Sequence, residues 1–385
     1  MQSIAQSWLL YKMTDSATLL GVLGFAGSLP ILLLSPFAGI WSDRCNLHRV
    51  MFATQILEMA QAVTLATLAL SGNLQPWHII ALSMLMGVLI SVELPVRHAY
   101  LLELVGEKAD LPNAIAVTSL MANCGRLVGP ALAGLVIGWL GESACFAINA
   151  VSYSAVIISF LFIRVTPTVR AVEHQAMLQG MREGAAYVWH SRPIRSLLLL
   201  LTALGLLGTP YISLMPVLVR EVFHGGADQM GFLVGAGGLG AVSGTLYLAS
   251  RASVRGLVRL LTYAALGAGV ALALVAHVKL VWFAMPLLAI TGFGILVTSV
   301  SVNMIVQAIV DDDKRGRVMS LYTVSFMGVA PFGALAMGAL ADRIGVAATL
   351  TISGACCAVG ALVLASRHAQ IRGELGEAYA RLGIK

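Results

Sequence analysis

Residues 17–49 read ATLLGVLGFAGSLPILLLSPFAGIWSDRCNLHR. No charged side chain occurs from Ala17 to Ser42, and then Asp43-Arg44 ends the run at once. An α-helix rises 1.5 Å per residue, so about 20 apolar residues cross the roughly 30 Å of hydrocarbon in a bilayer. The stretch is long enough to do so, and it stops at a charged loop with a basic end, His48-Arg49.

The pattern repeats outward in both directions. Apolar runs at 50–71, 77–102, 113–138, 143–164, 196–219, 229–249, 257–277, 280–308, 318–341 and 345–365 alternate with short charged or Gly/Pro-containing breaks. With 17–41 these make eleven full spans. The chain has 385 residues, 58% hydrophobic and only 11% charged, against about 25% charged in soluble proteins. Only lipid contact calls for so much apolar surface, and in lipid every backbone group must be satisfied within a segment. The composition therefore predicts an all-α polytopic membrane protein, multi-pass in a cytoplasmic-type membrane.

Residues 1–13 are apolar enough for membrane but short, about 20 Å as a helix. They lack the basic start and small-residue cleavage site of a signal peptide. They read as the second half of a helix whose first half is absent, with a turn at Asp15-Ser16; a short re-entrant or interfacial segment is the other reading. Five cysteines, Cys45, Cys124, Cys145, Cys356 and Cys357, form no metal or redox spacing, and the odd number argues against a disulfide framework. No metal site or cofactor is expected.

Net charge is +6. Lys12, Arg220, Lys279 and Arg343 fall in loops on one membrane side, and Arg126 falls inside a span. All the other Lys and Arg fall in loops, a helix end or the tail on the opposite side, which the positive-inside rule places in the cytoplasm. Basic residues spread over several segments in this way form no stripe for nucleic acid. The longest connection, 165–195, separates an N-terminal half, 1–164, from a C-terminal half, 196–365, followed by a cytoplasmic tail, 366–385. Each half then holds six span regions, counting the partial first one, in the same orientation, as parallel repeats do.

The segment Gly39-Ile-Trp-Ser-Asp43-Arg44-Cys-Asn-Leu-His48-Arg49 resembles the signature loop of the major facilitator superfamily, Gly-x-x-x-Asp-Arg-x-Gly-Arg-Arg. It departs at Asn46, where the family has Gly; Asn tolerates a left-handed backbone better than other non-Gly residues. Gly338-Ala-Leu-Ala-Asp342-Arg343-Ile-Gly345 is a weaker echo in the second half. The stretch from Asp311 to Arg317 with Pro331-Phe-Gly333 resembles the eleventh-helix region of the enterobactin-exporter-like and drug-efflux branch. Gly129-Pro130-Ala-Leu-Ala-Gly134 resembles the fifth-helix motif of antiporters, although small residues also serve general helix packing. The resemblance spans nearly the whole chain and implies the major facilitator fold of two six-helix halves. It also implies a gating role for the Gly39, Asp43, Arg44 and Arg49 loop, which latches the halves in the outward-facing state.

Charge inside a membrane costs several kcal/mol, roughly, and needs a partner or water. Glu58 falls about 13 Å past the loop, on one helical face with Gln55, Met59 and Ala62. It reads either as a proton- or cation-binding carboxylate lining a cavity or as a hydrogen-bonded structural carboxyl. Glu93 and Arg97 stand i, i+4 with the acid first, the favourable order for an ion pair, and read as gating residues; Arg97 could also meet Asp43. Arg126, three residues from Asn123, could bind an anion or neutralise Glu58 or Glu93. Asn303 and Gln307 share a face and could bind substrate or pack helices.

No phosphate loop, HExxH or GxSxG occurs, so the chain reads as a transporter and not an enzyme. The expectation is a monomeric secondary transporter that exports a small organic molecule, drug-like or siderophore, by proton antiport, with lipid, protons and substrate as its partners. Uptake or facilitated transport of a metabolite, and a non-transporting receptor or scaffold on the same fold, are the alternatives.

Overall fold

The computed structural model describes residues 1–42, 45–105, 110–163, 185–251, 253–254, 256–368, 370 and 373–374. Among these, eleven helices are long and apolar enough to cross a membrane, as the apolar runs predict. The first six helices are α1 (Gln2–Thr14), α2 (Ala17–Ser42), α3 (Leu47–Leu70), α4 (Pro76–Leu104), α5 (Leu111–Leu140) and α6 (Glu142–Phe162). After a helical stretch at 185–190 come α7 (Arg192–Ala203), α8 (Met215–Glu221), α9 (Ala227–Ala249), α10 (Leu257–Val275), α11 (Val281–Ile309), α12 (Asp312–Thr323), α13 (Ala330–Ile344) and α14 (Val346–Ser366).

The chain divides into two compact units. One holds Met1–Glu173 with Gly225–Phe232, and the other holds His174–His224 with Leu233–Lys385. The seventh membrane segment starts at Arg192, inside the stretch expected as the 165–195 loop.

Local chemistry sets the helix ends. Asp15 takes the left-handed conformation, φ 47°, and its N–H bonds back to the Tyr11 carbonyl. Ser16 Oγ accepts from the Leu19 N–H, so the Asp15-Ser16 turn closes one helix and caps the next. At Asn46 the structure corrects the expectation of a left-handed turn. Its backbone is extended, φ −72°, and its side chain accepts from the Arg49 N–H. An N-cap needs a side-chain acceptor and an extended backbone, and Asn supplies an acceptor that Gly lacks.

In the first unit α2 packs on α4, and α3 packs on α6 and α4. Gly27 and Gly87 meet where α2 crosses α4, so close that a Cβ on Gly87 would strike the Gly27 carbonyl. In the second unit α10 lies between α11 and α14. Its core joins Leu197, Leu201, Leu261, Ala265, Val302, Ile305 and Ala361.

Two membrane segments of the second unit are interrupted, a feature missed when 196–219 is read as one continuous span. The first runs from α7 through a π-turn, Leu204–Gly208, and a 3₁₀ turn, Thr209–Leu214, into α8. The other runs from α12 through a π-turn, Val324–Gly328, into α13. Pro210, Pro216 and Pro331 account for the breaks, because proline brings no N–H to the ladder. Freed carbonyls find side-chain donors: Thr209 Oγ1 donates to Gly205 O, and Ser353 Oγ to Leu207 O.

Candidate functional site

A buried polar cluster of the first unit lies between α1, α3, α4 and α6. Helix α3 places Gln55, Glu58 and Gln61 along one buried stripe, three residues apart. Gln2 Nε2 donates to Gln61 Oε1 at 2.9 Å, and Asn149 Nδ2 on α6 donates to Gln2 Oε1 at 2.7 Å. Gln61 Nε2 reaches the Leu82 carbonyl on α4 at 3.1 Å.

Glu58 sits one turn from Gln61 and is 2% exposed. It is enclosed, where a cavity-lining position was one expectation. Gln55 Nε2 approaches its Oε2 at 3.4 Å. Glu93 and Arg97 on α4 and Tyr153 on α6 face the same carboxyl closely enough to interact with it. Its Oε1 nonetheless has no hydrogen-bond partner at ordinary distance. Glu93 and Arg97 form the expected i, i+4 pair, Nη1 to Oε1 3.3 Å. The Glu93 side chain is 12% exposed and that of Arg97 is 52% exposed. Pro95 stands between them and leaves the Ser91 carbonyl without its helical donor.

Glu58, Gln55, Glu93 and Arg97 therefore come together. Arg126 does not join them; it is exposed on α5, with Asn123 half-buried one turn before it. Asn303 and Gln307 bond to each other on α11, Nε2 to Oδ1 2.6 Å, with Tyr322 beside Asn303. Gln2, Gln61, Asn149 and Tyr153 were not foreseen. Their polarity within apolar runs was the available signal, but which helices meet is a tertiary fact.

Of the expected gating loop, Asp43 and Arg44 lie outside the described residues, as does the surrounding of Gly39. Arg49 is exposed at the start of α3. Its neighbour His48 is tied down: Nδ1 lies 2.8 Å from Tyr100 Oη, and the ring meets Phe160 edge-on. In the fifth-helix motif, Gly134 packs directly against Gly231 and the Ala227 carbonyl, whereas Gly129 faces open space. Pro130 is inside the helix.

Residues 1–375 match the family model described as transmembrane secretion effector. The staphyloferrin A transporter of Staphylococcus aureus is 27% identical over 357 residues, covering 91% of this chain and 88% of that protein. The multidrug efflux pump Tap of Mycolicibacterium fortuitum is 26% identical, covering 90% and 86%. Among solved structures, a mutant form of the nucleoside transporter NupG superposes with a TM-score of 0.75 at 11% identity, covering 94% of each chain. A bacterial homologue of the human lysosomal transporter Spinster superposes with a TM-score of 0.70 at 14% identity, covering 99% and 95%. These structures share the fold.

Proposed function

The chain belongs to the transmembrane secretion effector family of major facilitator transporters, and from that membership we propose that it exports a small organic molecule by proton antiport. The substrate is a drug-like compound or a siderophore, the classes named for the multidrug pump and the staphyloferrin A transporter. The chain works as a monomer in a bacterial inner membrane, by alternating access of an N-terminal half, 1–164, and a C-terminal half, 196–365. Substrate binds near the midplane, where repeat-built transporters hold it. Arg126, Asn123, Asn303 and Gln307 offer it polar contacts. The loop from Gly39 through Asp43 and Arg44 to Arg49 gates the cytoplasmic side.

The observation that carries proton coupling is Glu58. A carboxyl 2% exposed within a membrane unit is costly to keep unless it serves a purpose. Protonation removes its charge, so one residue can alternate between a neutral buried state and a charged one.

The test uses inverted membrane vesicles with an imposed pH gradient, acid inside, and ethidium as probe. Ethidium should accumulate in vesicles holding the native chain, and Glu58→Gln should abolish the gradient-driven part. Accumulation that survives in Glu58→Gln would remove this residue from coupling. Ethidium movement only in the opposite direction would favour uptake.

A further inference from the structure

We infer that Glu58 and Glu93 hold one proton between them and that Glu93 is the group through which this proton enters and leaves, with Tyr153 and Arg97 as positioning residues. The inference deepens the proton-coupled reading of the same site.

Three observations and one physical argument carry it. Glu58 is enclosed, whereas Glu93 is partly exposed and is bonded to Arg97, which is half in the open. Glu93 therefore lies nearer the surface of the unit than Glu58. Gln55 occupies one oxygen of Glu58, and the other, Oε1, is buried with no hydrogen-bond partner, in a cluster where Glu93 and Tyr153 face the carboxyl group. Two carboxylates that interact in a membrane interior repel when both are charged, and a single shared proton removes the repulsion. The cluster also runs through the amides Gln61, Gln2 and Asn149, which bond to one another. Amides do not titrate, so this run of the cluster offers no second carboxyl for the proton.

Among the described residues, the charged or titratable groups facing Glu58 are Glu93 and Arg97 from α4 and Tyr153 from α6. Helix α1 contributes Gln2 to this network; its Lys12 pairs with Glu142 elsewhere, at 2.9 Å. The step is a proton transfer. The O–H bond of the Glu93 carboxyl breaks and an O–H bond forms at Glu58 Oε1. The negative charge moves onto Glu93, beside the Arg97 guanidinium, which stabilises it. The return step restores the charge to Glu58, and no electron is exchanged. Tyr153 interacts with both glutamates and with Asn149, so its phenol fixes the geometry of the pair.

The test needs no substrate. The full chain in liposomes is followed by infrared difference spectroscopy of its carboxylic-acid band during a change from H₂O to D₂O. The Glu58 band is the one lost in Glu58→Gln, and each variant is held at a pH where its own band is present. One shared carboxylic acid is expected in the native chain; two that titrate independently would overturn the inference. In Glu93→Gln, deuterium exchange of the Glu58 band should slow about a hundredfold, the scale of losing one positioned proton donor. Exchange at the native rate would show that Glu58 meets water by another route. Glu93→Asp should recover most of the rate, and a rate equal to that of Glu93→Gln would assign the effect to packing. Tyr153→Phe should shift the frequency of the Glu58 band, and an unmoved band would remove Tyr153 from the arrangement. Slow exchange in Glu93→Gln without pH-driven ethidium movement in the native chain would defeat the antiport reading and leave the pair standing.

Discussion

Gln2 and Gln61 share a 2.9 Å hydrogen bond that ties the 13-residue helix α1 to the middle of α3. Gln61→Leu would leave the Gln2 amide nitrogen and the Leu82 carbonyl without this partner. The loss should be about 1–2 kcal/mol, as for a buried polar group left unpaired. The coupling of Gln2→Leu with Gln61→Leu in a double-mutant cycle should be near 0.6 kcal/mol, roughly the average for membrane side-chain bonds. Unfolding of the purified chain in mixed micelles measures both. Strict additivity would mean that the bond contributes nothing.

The two glycines of the Gly129–Gly134 motif should answer differently to the same substitution. A methyl at Gly134 meets the Ala227 carbonyl and Gly231 at less than 3 Å, whereas one at Gly129 meets nothing within 4 Å. Gly134→Ala should lower stability by about 1–3 kcal/mol, the usual cost of overpacking. Gly129→Ala should be neutral or raise it by up to about 1 kcal/mol through helix propensity. Thermal unfolding in detergent tests the pair, and equal effects would reject the packing account.

The spans were legible because about 20 apolar residues have few other uses, and Asp15-Ser16 announced its turn through residue types that stop and start helices. Within the site, Glu58 and the Glu93–Arg97 pair could be picked out because charge is rare in such runs. Their joining could not, since α3, α4 and α6 meet through packing that leaves no periodic mark. Analogy with the glycine it replaces misses Asn46, whose carboxamide makes the structural difference by capping the helix. Pro210 and Pro331 were visible too, but the π-turns beside them have neighbours remote in sequence, Gly333 against Leu206 and Gly205 against Phe326.

His48 anchors the beginning of α3 through Tyr100. The hydrogen bond is 2.8 Å, and Met51, Val96 and Phe160 pack around it. Tyr100→Phe removes the hydroxyl and keeps the ring, so it should cost about 1 kcal/mol, the net worth of one hydrogen bond. His48→Ala also loses the ring contacts with Tyr100 and Phe160, at 5.8 and 5.6 Å between centroids. It should cost more, by roughly another 0.5–1.5 kcal/mol. Unfolding midpoints of the two variants decide: equal losses would confine the anchor to the hydrogen bond.

Leu206 and Gly333 test the cause of the interrupted segments. Pro210 brings no N–H to the Leu206 carbonyl four residues back, and that carbonyl lies where a Cβ on Gly333 would stand. Gly333→Ala should therefore cost about 1–3 kcal/mol. Pro210→Ala restores the missing donor and gives the carbonyl a reason to turn back into its own helix. The double variant should then lose less stability than the two single losses together, because neighbouring changes that share a backbone shift are not additive. Chemical unfolding of the four chains supplies the cycle. Additive losses would mean that something other than Pro210 holds the Leu206 carbonyl out of its helix, and the tight packing of α13 on this turn would then be the cause of the break.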